Sequence, residues 1–86
     1  MLQEAPTSET LDLSGLFCPQ PILRAKKALA ALDAGGVIKL ICTDPAAPSD
    51  FAHFCKRTGH TLIRHWKDNG KFLFLIQKHS HLSCKL

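Results

Sequence analysis

Ten residues, Leu13-Ser14-Gly15-Leu16-Phe17-Cys18-Pro19-Gln20-Pro21-Ile22, constrain how this chain can fold. Before them, Thr10 to Leu13 is a short polar–apolar run that reads as a strand. After them, Ile22, Ala25, Leu29 and Leu32 recur at helical spacing, with Leu23 and Ala30 alongside. Gly15 opens a tight turn where the period changes. Cys18 therefore stands at the joint between a strand's C-terminal end and a helix's N-terminus. Pro19 suits the first helical position, since its φ is already helical and its missing N–H has no partner there. Pro21 still falls in the first turn, where an absent N–H costs little. The two prolines leave Gln20 as the nearby backbone donor toward the Cys18 sulfur. A thiolate there meets the positive end of the helix dipole, which is expected to lower its pKa and raise its reactivity.

The rest of the chain alternates in the same way. The first helix is expected from Pro19 to about Leu32, stopped by Asp33-Ala34-Gly35-Gly36. Val37 to Thr43 is aliphatic and β-branched, a buried strand with Lys39 pointing out of one face. Asp44-Pro45-Ala46-Ala47-Pro48-Ser49-Asp50 is a turn in which Ser49 or Asp50 caps a second helix, while Pro48 and Asp44 allow an earlier start. In that helix Phe51, Phe54 and Cys55 share one face and His53, Lys56 and Arg57 the other. Gly59 closes it. Strands Thr61 to Lys67 and Lys71 to Lys78 follow, joined by Asp68-Asn69-Gly70, a hairpin turn tolerant of positive φ. Phe72, Phe74 and Ile76 lie on one face of the last strand and Leu73 and Leu75 on the other, which places it centrally in a sheet. The face carrying Leu73, Leu75 and Ile41 is either an exposed apolar patch suited to docking or one covered by Trp66 or the tail.

The order β-α-β-α-β-β, with a right-handed first crossover, makes the first two strands parallel neighbours. The expected fold class is α/β, an α+β two-layer sandwich: a four-stranded mixed sheet with two helices on one face. Residues 1–9 read as a flexible N-terminal segment, 10–78 as the domain and 79–86 as a tail without periodicity. Eighty-six residues make one small domain, and neither a signal peptide nor a membrane span is present, so residence in the cytoplasm is expected. In that compartment the four cysteines are read as free thiols. Cys42 and Cys55 read as small buried hydrophobes, and Cys84 as an incidental thiol in a polar tail. A net charge of +4 permits contact with nucleic acid or an acidic protein face and demands neither. Five histidines are scattered, and His79-Ser80-His81 with Cys84 makes at most a weak metal-binding cluster; no metal is expected.

Asp12, Gly15, Cys18, Pro19 and Pro21 together resemble the TusA/SirA-like sulfur-carrier family, marked by Cys-Pro-x-Pro opening the first helix after an Asp and a Gly at set offsets. The resemblance continues through Thr43-Asp44-Pro45, Gly59-His60 and Lys71-Phe72-Leu73-Phe74, and spans roughly Thr10 to Lys78. It implies a persulfide carrier with Cys18 as the reactive residue, rather than a turnover enzyme. The donor would be a cysteine desulfurase or a rhodanese-type sulfurtransferase. The acceptor would be another relay protein serving tRNA thiolation, cofactor sulfuration or sulfur oxidation. No cofactor is implied beyond the transient cysteine persulfide.

Around Cys18, Gln20, Leu23, Arg24 and Lys27 are expected to surround the thiol mouth, with Arg24 and Lys27 offering positive potential to an acidic partner face. Plain solvation of an amphipathic helix explains the same residues. Asp44 is read as a helix cap or a partner contact, and Asp12 and Gly15 as shaping the turn. The rival reading is a small basic regulatory module that binds RNA or protein, with Cys18 structural. It ranks lower because no aromatic residues are arranged to stack bases on an evident sheet face, so direct binding of nucleic acid is not expected.

Overall fold

The computed structural model describes residues 7–79. Six elements follow in order: β1 (Glu9–Leu13), α1 (Gln20–Ala30), β2 (Val37–Cys42), α2 (Ala47–Thr58), β3 (Thr61–Asp68) and β4 (Lys71–Gln77). The sheet runs β1-β2-β4-β3. β1 and β2 are parallel across the α1 crossover, and the other two pairs are antiparallel. β4 lies inside the sheet, as a strand apolar on both faces requires.

Ile38, Leu40 and Cys42 of β2 share one face with Phe74 and Ile76 of β4, and all five are almost wholly buried. They meet Ala25 and Leu29 of α1 and Phe51 and Phe54 of α2 in one cluster, so both helices cover the same side. Phe51 lies at its centre, its ring 4.9 Å from that of Phe74 and edge-on to Phe54 at 6.2 Å. On the other side Trp66 stands opposite Leu73 in register, with Arg64 4.6 Å and Lys39 5.9 Å from its ring. Leu75 is buried there and Ile41 and Leu73 are half-buried. Of the two accounts of that face, partial cover by Trp66 is the one observed.

Several boundaries differ from those the sequence suggests. Pro19 has φ −99° and ψ 13°, so it caps α1 and leaves Gln20 as its first residue. α1 closes after Ala30 rather than Leu32, because Ala31 and Leu32 donate to Ala28 and Leu29 in tight three-residue turns. The glycine effect comes later, in the turn where Gly36 donates to the Asp33 carbonyl. α2 starts at Ala47, ahead of Ser49 and Asp50, because Asp44 already holds its entrance: Ala46 N–H donates to Asp44 Oδ1 at 3.0 Å. At the other end of the lead-in, Ser8 N–H donates to Val37 O at 2.7 Å, and the first strand begins at Glu9. The remaining lead-in (1–6) and the tail from 80 onward, with His81 and Cys84, lie outside the described residues. Gly59 at φ 88° and the Asn69-Gly70 turn, at φ 53° and 78°, behave as expected.

His60 ties the last residues of the domain to the end of α2. Its Nδ1 accepts from His79 N–H at 3.2 Å, and its ring lies 5.7 Å from Phe54 and 4.8 Å from His79. Burial, and then the charges of His79 and Lys78, hold its pKa below the ordinary imidazole value. A base with a depressed folded pKa stabilises the fold above its unfolded value, about 6.5, and loses that contribution as pH falls through the folded one. Thermal melts across acid pH are therefore expected to show a decline that His60→Phe, which keeps the ring but cannot protonate, partly removes.

Candidate functional site

Parallel pairing sets Leu13 beside Cys42, so the chain leaves both strands at the same edge. The two exits are stapled together there. Gly15, at φ 84°, donates its N–H to Thr43 Oγ1 at 2.8 Å, while Asp12 Oδ1 accepts from Ser14 N–H at 3.1 Å. One step on, Cys18 N–H donates to Asp44 Oδ2 at 2.9 Å. Asp44 is only 6% exposed, and its two oxygens serve the starts of both helices, through Cys18 and Ala46.

Held this way, the Cys18 side chain is exposed and opens onto a cavity of about 460 Å³ between α1 and α2. Ile22, Leu23 and Lys26 form the α1 side, and Asp50, His53, Phe54 and Arg57 line the α2 side. Cys42 and Cys55 are buried, and burial pushes both thiols up to about 11. Among the described cysteines, then, Cys18 alone faces solvent.

The expected lowering of the Cys18 pKa is not what the site produces. Its direction is upward, first through local desolvation, then through a side-chain hydrogen bond with Asp50 and the charges of Asp50 and Asp44. The backbone explains why the helix start fails to compensate. Cys18 N–H is committed to Asp44, and Gln20 N–H donates to Phe17 O at 2.9 Å rather than to the sulfur. Pro19 and Pro21 have none to give.

A family model described as sulfurtransferase TusA matches residues 9–78. The chain belongs to the TusA family. It is 50% identical over 74 residues to the sulfur carrier protein TusA of Allochromatium vinosum, covering 86% of this chain and 97% of that protein. Identity is 41% over 70 residues to the sulfur carrier protein TusA of Pseudomonas syringae pv. syringae, covering 81% and 83%. The crystal structure of a SirA-like protein from Desulfitobacterium hafniense superposes with a TM-score of 0.74 at 32% identity, covering 84% of this chain and 99% of that one.

Around this TusA-type site, the residues singled out from sequence separate into four groups. Asp12, Gly15 and Asp44 build the turn and hold it, and Pro19 and Pro21 shape the start of α1. Leu23 lies on the cavity wall with Cys18. Arg24 and Lys27 do not join them: they line a separate hollow with Glu9, Leu11, Ala28 and Ala31, on the β1 side of α1. Gln20 is exposed and outside the cavity lining. The cavity's cations are instead Lys26 and Arg57, and its acid is Asp50. Helical arithmetic carries that signal, since Ile22 and Lys26 follow Cys18 at successive intervals of four. Among the described residues, no three His, Cys, Asp or Glu side chains gather as a metal site. No helix there is long and apolar enough to cross a membrane.

Removing the staple has a defined cost. Asp44→Ala leaves the N–H groups of Cys18 and Ala46 without their acceptor, and is expected to destabilise the fold by about 1–3 kcal/mol in urea unfolding. Faster amide hydrogen exchange at those two positions checks the cause.

Proposed function

We propose that this chain is a cytoplasmic sulfur carrier that receives a sulfane sulfur as a persulfide on Cys18 and relays it to an acceptor protein. The observation that carries this reading is a thiol exposed at the joint of β1 and α1 in a TusA-family domain whose other described cysteines are buried. The named carriers of Allochromatium vinosum and Pseudomonas syringae support it. Transfer needs the Cys18 sulfur to attack the terminal sulfur of a donor persulfide, break the donor's S–S bond and later be attacked in turn. One S–S bond forms as another breaks, so neither oxidant nor reductant is required. A sulfur that opens at the surface, beside a cavity with apolar walls and flanking cations, suits an atom that donor and acceptor proteins must both reach. The donor is a cysteine desulfurase or a rhodanese-type sulfurtransferase. The acceptor is another relay protein in tRNA thiolation, cofactor sulfuration or sulfur oxidation.

The test is to incubate the reduced protein with a cysteine desulfurase and free cysteine, then weigh the intact protein and its peptides without reductant. One added sulfur atom on the Cys18 peptide, removable by reductant, is the expected result. Cys18→Ser should keep the fold and lose the added mass. Loading of Cys18→Ser at another cysteine, or an unmodified Cys18 with thiosulfate and polysulfide also failing, overturns the assignment.

A further inference from the structure

We propose that Asp50 is the proton acceptor for Cys18 in sulfur transfer: its carboxylate takes the thiol proton as a donor persulfide docks and returns it to the departing donor thiolate. This rests on the carrier reading above. Asp50 sits in the first turn of α2, next to Phe51, which anchors that turn in the core. It is half-buried and lines the same cavity as Cys18, and its carboxylate is among the groups that push the Cys18 thiol up.

The other charged groups at this cavity are committed or remote. Asp44, from the loop, already accepts from Cys18 N–H and Ala46 N–H. His53, on α2, holds the Ser49 carbonyl through Nδ1 at 3.1 Å, which leaves Nε2 able to accept a proton, but the ring is exposed and lies about one helical turn beyond Asp50. Lys26 on α1 and Arg57 on α2 stand about two helical turns beyond Cys18 and Asp50 respectively, and as cations they accept no proton. A docked partner covers the cavity and excludes the water that otherwise receives the proton. Of the two bases that line the cavity, Asp50 is the half-buried one.

The step balances without a co-reactant. Cys18 gives its proton to Asp50, its thiolate attacks the donor's terminal sulfur, and the donor's S–S bond breaks. The donor thiolate then takes the proton held by Asp50, leaving Cys18 persulfidated. In the loaded state the outermost sulfur lies about 2 Å beyond Sγ, one S–S bond further out, where the Asp50 charge opposes its ionisation less. The same carboxylate thus keeps the empty thiol protonated and leaves the loaded sulfur freer to ionise.

The experiment compares wild type, Asp50→Asn and Asp50→Glu by two readouts on the Cys18 peptide: the pH profile of iodoacetamide alkylation, and the rate of loading from a cysteine desulfurase with cysteine. Removing the carboxylate charge should move the alkylation midpoint to lower pH and raise the rate at pH 7 by about three- to tenfold. The same variant should load more slowly, by about tenfold to a hundredfold, with Asp50→Glu recovering much of the rate. Should the Asn variant fail to fold, Asp50→Ser, which also suits a helix's first turn, makes the comparison. Unchanged alkylation, or alkylation and loading that move in the same direction, overturns the proposal while wild-type loading stands. A wild type that does not load removes the carrier reading itself, and this proposal with it.

Discussion

One buried carboxylate organises the reactive edge of this protein. Asp44 places one oxygen on the N–H of Cys18 and the other on the N–H of Ala46, so the starts of α1 and α2 share an acceptor. A carboxylate at 6% exposure survives there because both oxygens are bonded and the N-terminal end of α2 favours negative charge. The bridge joins residues 26 apart in sequence and works only because β1 and β2 run in parallel and end together. The position of the thiol is therefore set by sheet register as much as by the residues around it.

That dependence explains what could be read in the chain and what could not. Element order, the central place of β4, the hairpin at Asn69-Gly70 and the closing glycine of α2 follow from period and turn chemistry, both local properties. Cys18 at a helix start is equally local. The groups that face it are not, because which side of α1 meets α2 depends on packing against Phe51 and Leu29. From sequence Arg24 and Lys27 look as near the thiol as Lys26, yet one step around the helix separates a cavity shared with Cys18 from a hollow beside β1. The start of α2 was open for the same reason: Ser49 and Asp50 are good caps locally, and a residue already holding the other helix outranked them.

The thiol's acidity shows the same contest between local expectation and tertiary context. A helix N-terminus stabilises a thiolate by aiming N–H groups at it. In this loop the two prolines have no N–H, and the two remaining residues spend theirs on Asp44 and Phe17. What acts on the sulfur is local desolvation first, then carboxylate groups from α2 and its entrance, and the direction reverses. Cys-Pro-x-Pro is thus better understood as a shape that presents sulfur than as a device that acidifies it.

Presentation without acidification fits a carrier better than a hydrolase or a redox catalyst. An enzyme that turns over small molecules gains from a permanently ionised nucleophile, whereas a relay must hold an unloaded sulfur inert between encounters and react only with a docked persulfide. Cys42 and Cys55 are inert because the core covers them. Cys18 needs the same quiescence while remaining exposed, and local desolvation of its thiol supplies the first part of it. Carboxylates at its rim add to that, leaving the sulfur open to any protein surface that fits between α1 and α2.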